Sequence, residues 1–294
     1  MMRITQQLLT NQIRQNSGRA SERLNRAIQQ IQEDTSIPVP SVDPVKATRV
    51  KAIDERLRNH EALGRSRTTV RSNLNLADTT LENISNLVLS MRDEAISVAT
   101  DNASDKDRRT VAVSLRRQFE AVVALANTKD GSGRYLFGGL ADSALPFAPD
   151  GTYNGDTNAR EVEVAPGIRM TATLSGGDLF GATNETITAL SALVTALEAG
   201  DANAARAQLT PINDGHSQLV TTRTKVGGRL ATLENLDMLG LDVRTTLGIE
   251  RGDETAVDIA RLSSEMANAQ ANLQAIIETS KTLMAQSSAG WLNG

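Results

Sequence analysis

Cysteine is absent from this chain, which excludes thiol nucleophiles, disulfide cross-links and Cys-based metal sites. Aromatic residues are nearly as scarce: one Trp, two Tyr and four Phe make up 2% of 294 residues. A rounded core of this size leans on aromatics for buried area, so the apolar surface has to come from Leu, Ile, Val and Ala. Those are the side chains of helix–helix seams. No basic tract stands out, and 31 basic and 35 acidic residues mix to a net charge of −4, which leaves no electrostatic footprint for nucleic acid. No run reaches the roughly 20 apolar residues of a membrane span. The start, Met1-Met2-Arg3-Ile4-Thr5, opens no apolar signal-peptide stretch.

What the sequence does have is period. Val70, Leu74, Ala77, Leu81, Ile84, Val88, Met91, Ala95 and Val98 alternate steps of four and three, a heptad seam. Weaker residues (Val50, Ile53, Leu57, His60, Gly64) continue it upstream. The pattern predicts one helix from about Asp43 to Asn102, with Asp43 as N-cap and Pro44 in the first helical position. Near the C-terminus Ile259, Leu262, Met266, Ala269, Leu273, Ile276, Ser280 and Leu283 keep the same steps, and near the N-terminus Ile13, Ser17, Ala20, Leu24, Ala27 and Ile31 do so again, widened by Ile28. Neither end carries enough apolar surface for a core of its own, so each needs a partner. Ile13, Leu24, Ile28, Ile31, Ile259, Leu262, Met266, Leu273, Ile276 and Leu283 are therefore the candidate subunit-packing residues. Shorter helices are expected over Ala112–Ala126, over Ile187–Leu197 with an end near Gly200, and around Leu219–Leu233.

Between Gly131 and Gly181 the helical period vanishes. Glu161-Val162-Glu163-Val164 and the run from Ile168 to Leu174 alternate in polarity about Ala165-Pro166-Gly167, which reads as a β-hairpin. The fold class is mainly α with a small β insertion: a long antiparallel helical rod, the N- and C-terminal helices paired, the β domain at the distal end. The expected divisions are residues 1–44 with 254–294 as a terminal coiled-coil layer, 45–134 with 184–253 as a helical rod, and 135–183 as the β insertion.

Catalytic and metal patterns fail on inspection. His60 lies on the seam line with no second metal-type residue nearby, which reads as a packed, hydrogen-bonded histidine, and His216 in Asn213-Asp214-Gly215-His216 reads as surface. Asp101 to Asp107 breaks the calcium-loop pattern, with Ala103 at the third position and Lys106 where glycine is required, and reads as a turn capped by Ser104 or Asp105. Gly131-Ser132-Gly133 and Gly176-Gly177 lack the rest of a phosphate loop and read as turns. Arg108-Arg109 and Arg116-Arg117 read as solvated helix faces. No catalytic, metal or cofactor residues are assigned.

Two stretches go beyond helix and turn. Ile37-Pro38-Val39-Pro40-Ser41-Val42-Asp43-Pro44 fixes a rigid bend between two helices. Asn127-Thr128-Lys129-Asp130-Gly131-Ser132-Gly133-Arg134-Tyr135-Leu136-Phe137-Gly138-Gly139 leaves a helix through glycines and carries two of the few aromatics. Both resemble segments of the flagellin superfamily, in the form typical of hook–filament junction proteins; the Met2-Arg3-Ile4-Thr5 start is similar too. The motif positions are Ile37, Pro40, Ser41, Asp43, Pro44, Asn127, Asp130, Gly131, Gly133, Tyr135, Leu136, Phe137, Gly138 and Gly139. The resemblance covers roughly residues 2–140 and 205–294. Val42 departs from the usual Asp of the bend, and Gln32-Glu33-Asp34-Thr35 replaces a softer helix end.

The resemblance implies a structural subunit of the extracellular bacterial flagellum, not an enzyme. Its implied partners are further copies of itself in a ring, the second hook-associated junction protein, flagellin, and a cytosolic chaperone for type III export that shields the C-terminal helix. Filament flagellin itself is the nearest alternative; a soluble coiled-coil adaptor and an enzyme carried on the β insertion stand further off.

Overall fold

The structure, a computed structural model, describes residues 2–32, 43–256 and 259–292. In chain order the elements are α1 (Met2–Gln32), α2 (Pro44–Val98), α3 (Asp105–Ala126), β1 (Glu161–Ala165), β2 (Ile168–Thr171), α4 (Gly176–Phe180), α5 (Glu185–Ala199), α6 (Ala202–Thr255) and α7 (Ile259–Leu292). The chain divides into two compact units, one made of Met1–Leu57 and Arg244–Gly294, the other of Arg58–Val243.

In the first unit α1 packs on α7. The start of α2 runs beside the end of α6: Val50, Ile53, Leu247 and Thr255 are buried, and Arg251 meets Asp54 at 2.7 Å while Arg49 meets Glu254 at 3.2 Å. Exposed pairs of this kind add little stability and serve mainly to fix register. Asp43 caps α2 as expected, its Oδ1 accepting from the Lys46 N–H at 2.9 Å.

The second unit holds the main core. All nine residues of the Val70–Val98 seam are buried. Across from it α6 presents Ala205, Ile212, Leu219, Val226 and Leu233, spaced seven apart and all fully buried. The two helices run antiparallel, because partners rise on one as they fall on the other: Arg67 with Asp237, Asp78 with Arg223, Arg92 with Asn213. Each fully buried Leu or Ile in such a seam contributes about 1.5–3 kcal/mol by leaving water. Helix α3 packs on α5 to complete the bundle. It starts at a capping box in which Ser104 Oγ accepts from the Asp107 N–H and the Asp107 carboxylate accepts from the Ser104 N–H. Helix α5 stops at Gly200, which takes the left-handed conformation.

The hairpin forms where alternation placed it. β1 and β2 pair antiparallel, with Val162 opposite Met170 and a bulge between Glu163 and Ala165. Val164 points into the core.

Several sequence expectations need correcting. Helix α2 ends at Val98, four residues before Asn102, because the capped start of α3 needs the intervening turn. Gly176-Gly177 opens α4, capped by Ser175 and Asp178, and is not a turn. Asn213 to His216 lies inside α6, whose helix runs through Pro211. Arg108 is no solvated residue: it is buried, donating to Asp105 Oδ1 and to the Thr100 carbonyl, both at 2.8 Å.

Candidate functional site

Two features can carry the function: the paired chain ends and the glycine–aromatic segment that leaves α3. On the paired ends, Leu24 of α1 and Met266, Leu273 and Ile276 of α7 are half-buried, Ala20 and Ala269 are buried, and Ile28 is exposed. The helix pair thus buries part of its apolar stripe and leaves part open. Ile13, Ile31, Ile259, Leu262 and Leu283 lie on the same two helices. Of the bend, Ile37, Pro40 and Ser41 lie outside the described residues, while Asp43 and Pro44 form the capped start of α2.

The glycine–aromatic segment is a backbone hub. Asn127 ends α3 and turns its side-chain amide onto a neighbouring loop: Nδ2 donates to the Phe147 carbonyl at 2.8 Å, and Oδ1 accepts from the Phe147 N–H at 3.0 Å. Asp130 closes the turn that follows, its Oδ1 accepting from the Ser132 N–H, the Ser132 hydroxyl and the Arg134 N–H. Burial raises the pKa of this carboxyl, but the hydrogen bonds from Ser132 and Arg134 outweigh that and leave it below the ordinary carboxylate range. Gly133 sits at φ 81°, a conformation that side chains disfavour. Gly131 has open space around it and nothing in the structure requires glycine there.

From Tyr135 the chain dives inward. The Tyr135 ring lies under the Lys129 ammonium at 4.6 Å, and Leu136 and Phe137 are buried. The Leu136 N–H donates to the Thr128 carbonyl, and the Gly139 N–H donates to the Leu174 carbonyl, so the segment ties the end of α3 to the loop after β2. Gly138 and Gly139 admit close backbone neighbours. A Cβ on Gly139 would lie 2.1 Å from the Asp156 carbonyl oxygen, which leaves glycine as the residue that fits.

Sequence reasoning missed the aromatic core behind this hub. Phe147 stacks edge-on to Phe180 at 5.4 Å and tilted against Tyr153 at 4.9 Å. The Tyr153 hydroxyl donates to the Asp156 carbonyl at 2.8 Å, with the Phe137 carbonyl at 3.2 Å. Burial, first of all, raises its pKa and keeps the phenol protonated as a donor. Every aromatic except Trp291 falls between residues 119 and 180, and that clustering was the available signal.

Arg67, also unflagged, joins three elements. Its guanidinium donates to Asp237 of α6 at 2.5 Å and to the Val164 carbonyl of β1 at 2.9 Å. Gly240 follows Leu233 in the seven-residue spacing of α6, and a Cβ there would lie 2.9 Å from Arg67 Nη2 and 3.1 Å from His60 Nε2. Glycine on this line gives the two α2 side chains their room. The seam position of His60 is thus a packing position. His216 is half-buried, and its pKa is lowered first by burial and then by Arg92.

A cleft of about 350 Å3 lies between α2 and the β module, lined by Arg65, Asn73, Arg134, Tyr135, Asp142 and Arg160 among others. Asp142 is held there by Arg160 and by Arg134, so its charge is already compensated within the chain. Among the described residues no group of three or more His, Asp or Glu is placed to hold a metal ion, and no helix is long and apolar enough to cross a membrane.

Comparison with known proteins points one way. Residues 4–142 match the family described as the bacterial flagellin N-terminal helical region. The chain is 23% identical over 303 residues to the flagellar hook-associated protein 3 of Salmonella typhimurium, spanning 95% of this chain and 96% of that one. It is 26% identical over 229 residues to the flagellar hook-associated protein 3 of Escherichia coli, spanning 69% of this chain and 72% of the relative. The crystal structure of Bacillus cereus FlgL superposes with a TM-score of 0.60 at 25% identity, covering 68% of this chain and 99% of that one.

Proposed function

We propose that this chain, a flagellin-superfamily protein of the hook-associated protein 3 type, is the structural subunit that joins the flagellar hook to the filament. The observation that carries the reading is the near end-to-end match to a hook-associated protein 3, 95% of this chain against 96% of the relative. The physical features support it. Paired terminal helices with a partly open apolar stripe suit a subunit that completes its packing on neighbours. A heptad-seamed α2 and α6 suit an element that must bear load along its length.

On this reading residues 1–44 with 254–294 form the inner polymerising layer, 45–134 with 184–253 the rod, and 135–183 the outer module. The subunits form a short ring and meet the second hook-associated protein on one side of the junction and flagellin on another. They reach it by type III export, with a cytosolic chaperone covering the α7 stripe until assembly. An amphipathic helix laid into a groove serves both the chaperone and the polymer through the same apolar positions. Burial at about 25 cal/mol per Å2 of apolar surface drives the last step, offset by the entropy of ordering the chain ends. The role is mechanical and uses no cofactor.

Filament flagellin is the second reading. Immunogold labelling of sheared flagella separates the two. Label confined to a zone between hook and filament supports the junction subunit, whereas label along the filament supports flagellin.

A further inference from the structure

We propose that Asn154 modifies itself in the folded protein, losing its side-chain amide by attack of the Gly155 backbone nitrogen. The Asn-Gly dyad occurs at Asn154-Gly155 and at Asn293-Gly294, and the first lies among the described residues. Such dyads are chemically labile because a following glycine leaves the backbone nitrogen unhindered.

The glycine is held in place by packing. A Cβ at Gly155 would sit 2.4 Å from the Tyr153 hydroxyl oxygen and 2.5 Å from its ring carbon Cζ, so no side chain fits. Gly176 closes on the same ring, where a Cβ would sit 2.6 Å from Tyr153 Cδ2. The aromatic core thereby imposes the residue that makes Asn154 labile.

The reacting groups are left open. Asn154 is exposed, and among the described residues its side-chain amide has no hydrogen-bond partner. Among the described residues the Gly155 N–H donates to no acceptor, although both neighbours are anchored: Asn154 N–H to the Pro146 carbonyl at 2.7 Å, Asp156 N–H to the Gly138 carbonyl at 3.0 Å. Other sites in the same module are tied down. At Asp150-Gly151 the glycine N–H is bound to the Ala148 carbonyl and the Asp150 carboxylate accepts from the Thr152 N–H. The Asn158 amide donates to Asp156, and both polar atoms of the Asn127 amide are engaged.

The chemistry needs water alone. The Gly155 nitrogen loses its proton to solvent and bonds to Asn154 Cγ, while the Cγ–Nδ2 bond breaks and the nitrogen departs as ammonia. Water then opens the five-membered imide at either carbonyl. The product is aspartate at 154, or iso-aspartate with the backbone routed through the former side chain. Each subunit so converted carries one more negative charge near Asp156. The iso form also lengthens the backbone beside the Tyr153 ring.

The test uses the full-length purified protein held in 18O-labelled water at neutral and mildly alkaline pH, then digested in acid and analysed by mass spectrometry. The expected result is amide loss at Asn154 with one 18O incorporated, both isomeric products, and a rate that rises with pH, while Asn127 and Asn158 keep their amides. An Asn154 amide that persists while the excised peptide converts overturns the proposal. Asn154→Gln, which forces closure of a larger ring, is expected to keep the side-chain amide at position 154 in the same digest, whatever happens at Asn293-Gly294. Amide loss at position 154 that is undiminished in that variant overturns the proposal as well.

Discussion

The Asn127 side chain closes a two-bond ring with the backbone of Phe147, its amide donating at 2.8 Å and accepting at 3.0 Å as a paired strand would. The end of α3 is thereby joined to the aromatic core through one side chain, and both bonds are part-buried. Asn127→Asp keeps the shape and replaces the donor by a second acceptor facing the Phe147 carbonyl. Leaving that carbonyl unsatisfied is expected to cost about 1–3 kcal/mol, read as a lower midpoint in urea at neutral pH. An unchanged midpoint would mean that the ring contributes nothing.

The seam of α2 gives a paired test. Leu81 is fully buried, and Leu81→Asp places an unpartnered charge in the bundle, at an expected cost of about 3 kcal/mol or more. Glu82, one step away, accepts from Arg223 at 3.2 Å with half its side chain exposed, so Glu82→Ala is expected to cost about 0–1 kcal/mol. Thermal melts of the two variants should separate widely, and coincident melts would contradict the seam.

The cap of α3 predicts an acid response. The Asp107 pKa is lowered, first by the Ser104 hydroxyl hydrogen bond and then by the Ser104 N–H. A carboxyl depressed on folding stabilises the native state above its unfolded pKa, about 3.9, and that stability is lost as pH falls through the folded value. Asp107→Ala should therefore lower stability at neutral pH and flatten the acid limb of the stability–pH profile. Parallel profiles for variant and wild type would show that the cap does not respond to acid in this way.

Much of this was legible in the sequence, for identifiable reasons. The Val70–Val98 helix was visible because every third or fourth residue is apolar over its whole length, and Asp43-Pro44 and Ser104 carry their caps in plain side-chain chemistry. The hairpin showed itself by alternation. The core of the β module did not, because Phe147, Tyr153 and Phe180 are brought together by turns that have no period. Arg67 and Gly240 were hidden for a related reason: a buried guanidinium and the glycine that admits it are 173 positions apart, and neither stands out locally. Arg108 reads as solvated until α3 is seen to bend it back onto the Thr100 carbonyl.

Under the proposed function, the terminal helices allow folding and assembly to be tested apart. Leu273 and Ile276 of α7 are half-buried and lie in the unit formed by the chain ends. The double variant Leu273→Asp with Ile276→Asp is expected to keep the main thermal transition of the Arg58–Val243 unit, followed by circular dichroism, and to fail to restore filaments in cells lacking the protein. Normal filaments on those cells would remove the assembly role of this stripe.

The most direct measurement is electron microscopy and secreted-protein analysis of a strain from which this gene alone is deleted. A junction subunit acts after the hook is built and before flagellin is retained. The deletion strain should therefore carry complete hooks without filaments and release flagellin monomer into the medium, with filaments restored by the wild-type gene. Filaments of normal length on the deletion strain, or hooks that fail to form, would contradict the account.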